Sequence, residues 1–369
     1  MTWLAVPLYA HDRGLSSAQI GLLFSLPVVL QIAVNLVGGA YVDRLGGRRI
    51  MLASSLLFTL GAAVLYAADG FWSLFAGQLV LVLARATFWP ANWSLASELP
   101  GDRSVQAGRL NAATSFGHIL GNGTCGFILA SAGFGASFVV MGVMGVAAWA
   151  LGLGTPHSSR KDAGGRGLFA NYRALLGMPI LYYAALCAYL SALPFSLSTS
   201  FYPLLLQYLG FGEEASGVLL ALRALGAVAA GLMVAKFVAT GPASPWPVIA
   251  GLSVALAVGL LPTVTHWAAI GAFLLVVGAG SSLMTIYFQV TVAEVVPVEM
   301  RGSAMALGGM GWGISHFTTP LIMGLLADRF GIVAGFYVLG AMALATVACV
   351  AFLRQWAFSR TKLGKYVAA

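Results

Sequence analysis

Charge is what this chain has least of. It carries 19 lysines and arginines and 11 aspartates and glutamates, 8% of its 369 residues, where a soluble domain has about 25%. That scarcity, beside a hydrophobic share of 60%, excludes a soluble globular protein. The net charge of +8 does not point to nucleic acid, because the cations sit in short segments between apolar runs. Cysteine is nearly absent. Cys125, Cys187 and Cys349 lie far apart inside apolar runs, with neither metal-ligand spacing nor a disulfide framework, and read as small core residues. No glycine-rich loop runs into lysine and serine or threonine, which excludes phosphate-loop ATP hydrolysis. No cluster of acids, histidines and cysteines shares one depth, as a membrane-embedded enzyme needs, and no ring of like residues marks a symmetric channel. Nothing calls for a cofactor or a metal. No acid lies inside an apolar run, and Glu98 and Glu294 stand at run ends. Pro7 and Asp12-Arg13 break the first apolar stretch too early for a cleavable signal peptide.

What is present is a succession of apolar runs, each about 20 residues and long enough to cross a bilayer as a helix. After Met1–Ala10, too short to cross, the spans read Gln19–Val42, Ile50–Ala68, Phe71–Ser97, Val105–Ala130, Ala136–Leu153, Ile180–Leu209, Ala215–Val238, Val248–Leu261, Trp267–Val295, Ser303–Ala327 and Val333–Leu353. The expected fold class is an all-α membrane protein. The polar stretch Thr155–Met178 divides it, giving domains at 1–154 and 179–356, a linker at 155–178 and a tail at 357–369. Segments on the linker's side hold fifteen lysines and arginines against two, Arg13 and Arg329, on the other. That bias sets the linker and C-terminus in the cytoplasm. Arg85 and Arg223 fall within spans.

The halves repeat. A shift of 198 lays Arg103 on Arg301, His118 on His316, Gly126 on Gly324, Gly133 on Gly331, Phe138 on Phe336 and Gly142 on Gly340, with eleven matches over 103–150 and no gap. A shift of 196 lays Pro7 on Pro203, Gly14 on Gly210, Gly21 on Gly217 and Leu26 on Leu222. Six spans per half in parallel orientation place a solute site near mid-depth between them. The repeat also puts the start of the first span before Met1, so the first helix is expected to be truncated.

Between the second and third spans stand Gly39, Asp43, Arg44, Gly46, Arg48 and Arg49, a short cationic link whose two glycines, Gly46 and Gly47, permit a sharp turn. This resembles the loop signature of the major facilitator superfamily: glycine, three residues, aspartate, arginine, any residue, glycine, then basic residues. Gly47 stands where the family has a basic residue. The resemblance covers essentially the whole chain. It implies the major facilitator fold, two pseudosymmetric six-helix bundles with the third helix of each three-helix unit outside. It further implies a monomeric secondary transporter of the cytoplasmic membrane that moves a small molecule by alternating access, with protons as coupling ion and lipid around it. Asp43 would gate by facing the N-terminus of the eleventh span.

Polar residues fall in stripes on the spans expected to line the cavity. The second carries Gln31 and Asn35. The fourth carries Gln78, Arg85, Trp89 and Asn92, and the fifth Asn111, Ser115, His118 and Asn122. The tenth carries Ser281, Thr285 and Gln289, and the eleventh Trp312, His316 and Thr319. Arg85 and Arg223 are costly at membrane depth unless they meet water, a partner or a ligand. They favour an anionic or polar solute. His118 and His316, at equivalent repeat positions, are the visible candidates for carrying a proton. Arg85 also resembles a position kept in drug:proton antiporters. Gly117-x-x-x-Gly121 resembles their fifth-helix motif, with Asn122 replacing its proline. Efflux of hydrophobic cations, held by Trp89, Trp93 and Trp312, is the alternative; an inactive truncated transporter is another.

Overall fold

The computed structural model describes residues 1–98, 103–155, 175–233, 241, 243–296 and 300–360; for 35–44, 93, 94, 97, 98, 103–105, 107, 108, 111, 112, 301–303 and 306 it describes the backbone alone. Helices make up the secondary structure of these residues: α1 (Thr2–Asp12), α2 (Ser17–Leu45), α3 (Gly47–Tyr66), α4 (Phe71–Glu98), α5 (Arg103–Leu153), α6 (Pro179–Ser200), α7 (Tyr202–Tyr208), α8 (Glu213–Met233), α9 (Trp246–Leu260), α10 (Trp267–Val295), α11 (Arg301–Phe330) and α12 (Ile332–Arg360).

The spans expected from hydropathy are there, with three differences of detail. The fifth and sixth are the two arms of α5, which meet at Gly133, whose φ of 75° and ψ of −176° turn the chain back in the expected gap. The seventh is interrupted at Phe201 and restarts as α7 with Pro203 in its first turn, where the missing N–H leaves no intrahelical bond unmade. α2 runs on to Leu45, so Gly46 alone, at φ 84°, makes the turn, and Gly47 already belongs to α3. α12 continues past the expected Leu353 to Arg360.

The repeat is visible in the backbone. The positive-φ glycines of the described residues pair across the halves: Gly14 with Gly210, Gly46 with Gly241 and Gly133 with Gly331. Gly14 and Gly210, and Gly133 and Gly331, stand at the same points of their halves. One face of the molecule carries the turns at 13–16, 67–70, 209–212 and 331. This distal face lies opposite the ends that flank the linker.

The third helix of each unit lies outermost. Leu56 and Leu60 on α3, Val139 and Val143 on the second arm of α5, Ile249 and Leu256 on α9, and Val338 and Phe352 on α12 are all exposed, as side chains meeting lipid tails should be. A groove of about 570 Å³ between α3 and the second arm of α5, lined by Ala62, Ala63 and Val143 among others, belongs to this outer surface. Cys125 and Cys187 are buried. Cys349 is exposed on α12, which corrects its reading as a core residue: α12 presents most of its girth outward.

Candidate functional site

The two halves meet through glycines. Gly21 on α2 and Gly324 on α11 lie backbone to backbone, and a Cβ on Gly324 would sit 2.5 Å from the Ser17 carbonyl oxygen. The equivalent contact joins α5 and α8, where a Cβ on Gly217 would sit 2.7 Å from the Asn122 carbonyl oxygen and 3.0 Å from Gly126. The repeated glycines thus pair crosswise between the halves, Gly21 with Gly324 and Gly217 with Gly126. Removing the side chains lets both helix pairs approach closely, and both contacts lie toward the distal face. Asp328, just beyond the apolar part of α11, closes the first seam. Its Oδ1 accepts from the Ser17 N–H at 2.7 Å and its Oδ2 from the Ala18 N–H at 3.0 Å. A carboxylate at a helix N-terminus satisfies orphan donors and meets the positive end of the dipole. Slight burial pulls the Asp328 carboxyl upward, but the N–H groups of Ala18 and Ser17 and the hydroxyls of Ser16 and Ser17 outweigh it, so its pKa lies below the ordinary aspartate value.

Beneath this closure, where the start of α1 meets α5, α6 and α11, sits a cluster of rings. Phe195 on α6 is at its centre, with Trp3 at 4.7 Å, Trp312 at 5.2 Å, His316 at 5.4 Å and His118 at 6.3 Å between ring centroids. Trp3 lies 4.4 Å from His118, and Trp312 stacks on His316 at 5.0 Å. Trp3 and His118 come from the first half, and the other three from the second. The repeat-related histidines therefore converge on one phenylalanine. All five rings are only partly buried. Phe195 is surrounded by α1, α5, α8 and α11, so its open part faces the space between the halves.

Arg223 on α8 lies over the Phe195 ring, its Cζ 5.4 Å from the centroid. The residue is 4% exposed, and its Nε has no hydrogen-bond partner among the described residues. The backbone of Gly278 on α10 packs directly against the Arg223 carbonyl, which fixes where the side chain starts. Arg85 on α4 lies within electrostatic range of His316, and Arg223, together with the N-terminal amine, within that of His118. His316 Nδ1 donates to the Trp312 carbonyl oxygen at 2.9 Å, which leaves Nε2 as an acceptor in the neutral ring. Trp312 is itself held, its Nε1–H donating to Ser191 Oγ at 2.8 Å.

The remaining polar stripes are largely spent on the scaffold. Asn92 Nδ2 donates to the Phe88 carbonyl at 2.8 Å and Thr285 Oγ1 to that of Ser281 at 3.0 Å. Ser281 donates to the Ser191 carbonyl, and Thr319 pairs with Ser315 at 3.3 Å. Gln78 and Asn122 are buried. Gln31, Trp89 and Ser115 are partly buried, and Gln289 is exposed near the linker end of α10. The side chains of Asn35, Asn111, Gly39, Asp43 and Arg44 lie outside the described residues. Of the signature loop, Arg48 Nη2 donates to the Leu153 carbonyl oxygen at 2.6 Å, tying the loop to the C-terminal, electronegative end of α5. Arg49 is exposed.

Phe195 and Trp3 escaped the sequence reading. A phenylalanine in an apolar run carries no polar signal, and the repeat partner of Phe195 would precede Met1. Its position directly after Pro194 in a span with Ser191, Ser196 and Ser198 was the available hint.

These features fit the known proteins that the chain resembles. The Major Facilitator Superfamily profile matches residues 1–307 and 185–363. The probable galactarate/D-glucarate transporter GudP of Bacillus subtilis is 31% identical over 160 residues, 41% of this chain and 35% of that protein. The quinolone resistance protein NorA of Staphylococcus aureus is 23% identical over 159 residues, 42% of this chain and 41% of that protein. The matches thus span well under half the length of these relatives. A solved bacterial homologue of the human lysosomal transporter Spinster, inward-facing and unoccupied, superposes with a TM-score of 0.71 at 16% identity, over 98% of this chain and 92% of that one. The nucleoside transporter NupG gives 0.75 at 15% identity, over 97% and 95%; at such identity the likeness speaks for the fold. With its profile matched from end to end and its two halves arranged as in these structures, the chain belongs to the Major Facilitator Superfamily.

Proposed function

We propose that this protein moves a small anionic solute across the cytoplasmic membrane by alternating access, with the linker face inside and proton movement as the coupling. One observation carries the choice of solute. Arg85 and Arg223 stand at mid-depth on opposite halves, while the described aspartates and glutamates sit at helix ends. A buried cation without a carboxylate partner is costly, and an anion that enters between the halves offsets that cost for both. Such a solute also draws the halves together, since it needs one arginine from each. His118 and His316, each within electrostatic range of an arginine of the other half, are the groups through which a proton would be linked to solute binding. The glycine-lined closure at the distal face is the outer gate, and the Gly39–Arg49 loop works at the inner one. Among the relatives, the sugar-acid transporter agrees with an anionic solute.

Efflux of a hydrophobic cation is the second reading. The ring cluster favours it, because aromatic faces attract cations, and the quinolone resistance protein is among the relatives. Uptake into proteoliposomes under an imposed pH gradient separates the two, using organic anions, sugars and tetraphenylphosphonium. Gradient-driven anion movement that is lost in Arg85→Gln and Arg223→Gln is the expected result. Movement of the cation alone, unaffected by either change, would overturn the anion reading.

A further inference from the structure

We infer that the solute is a flat aromatic carboxylate, bound with its carboxylate on Arg223 and its ring among Phe195, Trp3 and Trp312. The inference rests on the anionic reading above and narrows it.

Three observations carry it. The first is the state of Arg223. It is buried, its Nε has no hydrogen-bond partner among the described residues, and its Cζ lies 5.4 Å from the centroid of the Phe195 ring. A planar guanidinium takes a carboxylate with two parallel N–H bonds, so a carboxylate here is delivered directly beside Phe195.

The second is the shape of the ring cluster. Trp3, His118, Trp312 and His316 meet Phe195 at interplanar angles of 77°, 58°, 46° and 49°. Among the described residues no ring stacks parallel on Phe195, and tilted rings leave wedges that suit a flat molecule better than a bulky one. Offset and edge contacts between rings are favourable beyond the area they bury.

The third is what the site does not offer. A polyhydroxylated acid needs many hydrogen-bond partners to replace its water. Several hydroxyls and amides around the cluster are engaged within the scaffold: Ser191 donates to the Ala188 carbonyl and accepts from Trp312, Ser281 bonds Ser191, and Thr285 and Asn92 bond their own helices; the Ser196 and Tyr202 hydroxyls, without a partner among the described residues, are fully buried. The chemistry left for a ligand is chiefly two cations, the histidine nitrogens and aromatic surface. A carboxylate on an aromatic ring matches the Arg223 cation and the aromatic surface together.

The test compares benzoate with cyclohexanecarboxylate, which has the same charge and nearly the same size but no aromatic face. Binding to the purified full chain is read by equilibrium dialysis, with galactarate and tetraphenylphosphonium alongside. The expected result is benzoate bound roughly 2- to 10-fold more tightly than cyclohexanecarboxylate, the range of an aromatic pair. That preference should shrink in Phe195→Leu, which removes the central ring. Equal binding of the two ring acids, or tighter binding of galactarate, would overturn the aromatic inference and leave the anionic reading standing. Binding of tetraphenylphosphonium with none of the acids would overturn both. The comparison of the two acids on the unsubstituted protein decides the matter even where Phe195→Leu fails to fold.

Discussion

At the scale of single residues, the account depends on arginine's geometry rather than on positive charge alone. Arg223 presents a planar fork over Phe195, and lysine would supply a point charge with no matching pair of donors. Arg223→Lys should therefore weaken solute binding on the order of tenfold, the loss of a charge-assisted hydrogen bond, without changing the amount of folded protein. Dialysis against the preferred anion, beside the native protein, checks this. The two arginines and the two histidines were legible in the sequence, because a polar side chain in an apolar run stands out. Phe195 was not. It is one of 21 phenylalanines, and only the fold shows that rings from both halves and one guanidinium converge on it. The polar stripes were legible as stripes, but their employment was not. Hydrogen bonds such as that of Thr285 into its own helix turn many expected cavity residues into structural ones.

At the scale of elements, the halves are joined by two helix pairs that share one design. α2 against α11 and α5 against α8 both cross at facing glycines, and the sequence repeat had already aligned Gly21 with Gly217 and Gly126 with Gly324. What the repeat did not reveal was the crosswise pairing, because sequence alignment relates equivalent positions and contact joins non-equivalent ones. The acid breaks the symmetry. Asp328 caps α2, whereas its repeat position in the first half is Ala130, and α8 opens with its own Glu213 and Glu214. The Asp328 clasp joins segments more than 300 residues apart. A cap of this kind contributes on the order of 1 kcal/mol, so Asp328→Ala should shift the balance toward the distally open form by roughly fivefold. The sign of its pH dependence follows from the lowered carboxyl pKa. The contribution is fully present above the ordinary aspartate value of about 3.9 and is lost as pH falls through the lowered one. With Cys349 replaced by alanine, accessibility of a cysteine placed at the partly buried Ala18 to a water-soluble maleimide at neutral pH reports the effect of the substitution. Unchanged labelling in Asp328→Ala would remove the clasp from the account.

At the scale of the whole molecule, hydropathy and cation placement were enough to read a membrane bundle in two parallel halves, because lipid forces every backbone group into helix. The break at Phe201 escaped that reading, whereas the gap between the fifth and sixth spans already held Gly133. Hydropathy averages over about 20 residues and does not see where a single residue leaves the helix. The central claim is that the halves move about a mid-depth site while the distal face opens and closes. The most direct test locks that face shut. With Cys349 replaced by alanine, cysteines at Ala18 and Arg329 are joined by a short cleavable bismaleimide, and gradient-driven anion uptake is measured in proteoliposomes before linking, after linking and after cleavage. The account predicts uptake that stops on linking and returns on cleavage. Undiminished uptake with the distal face held closed would contradict it.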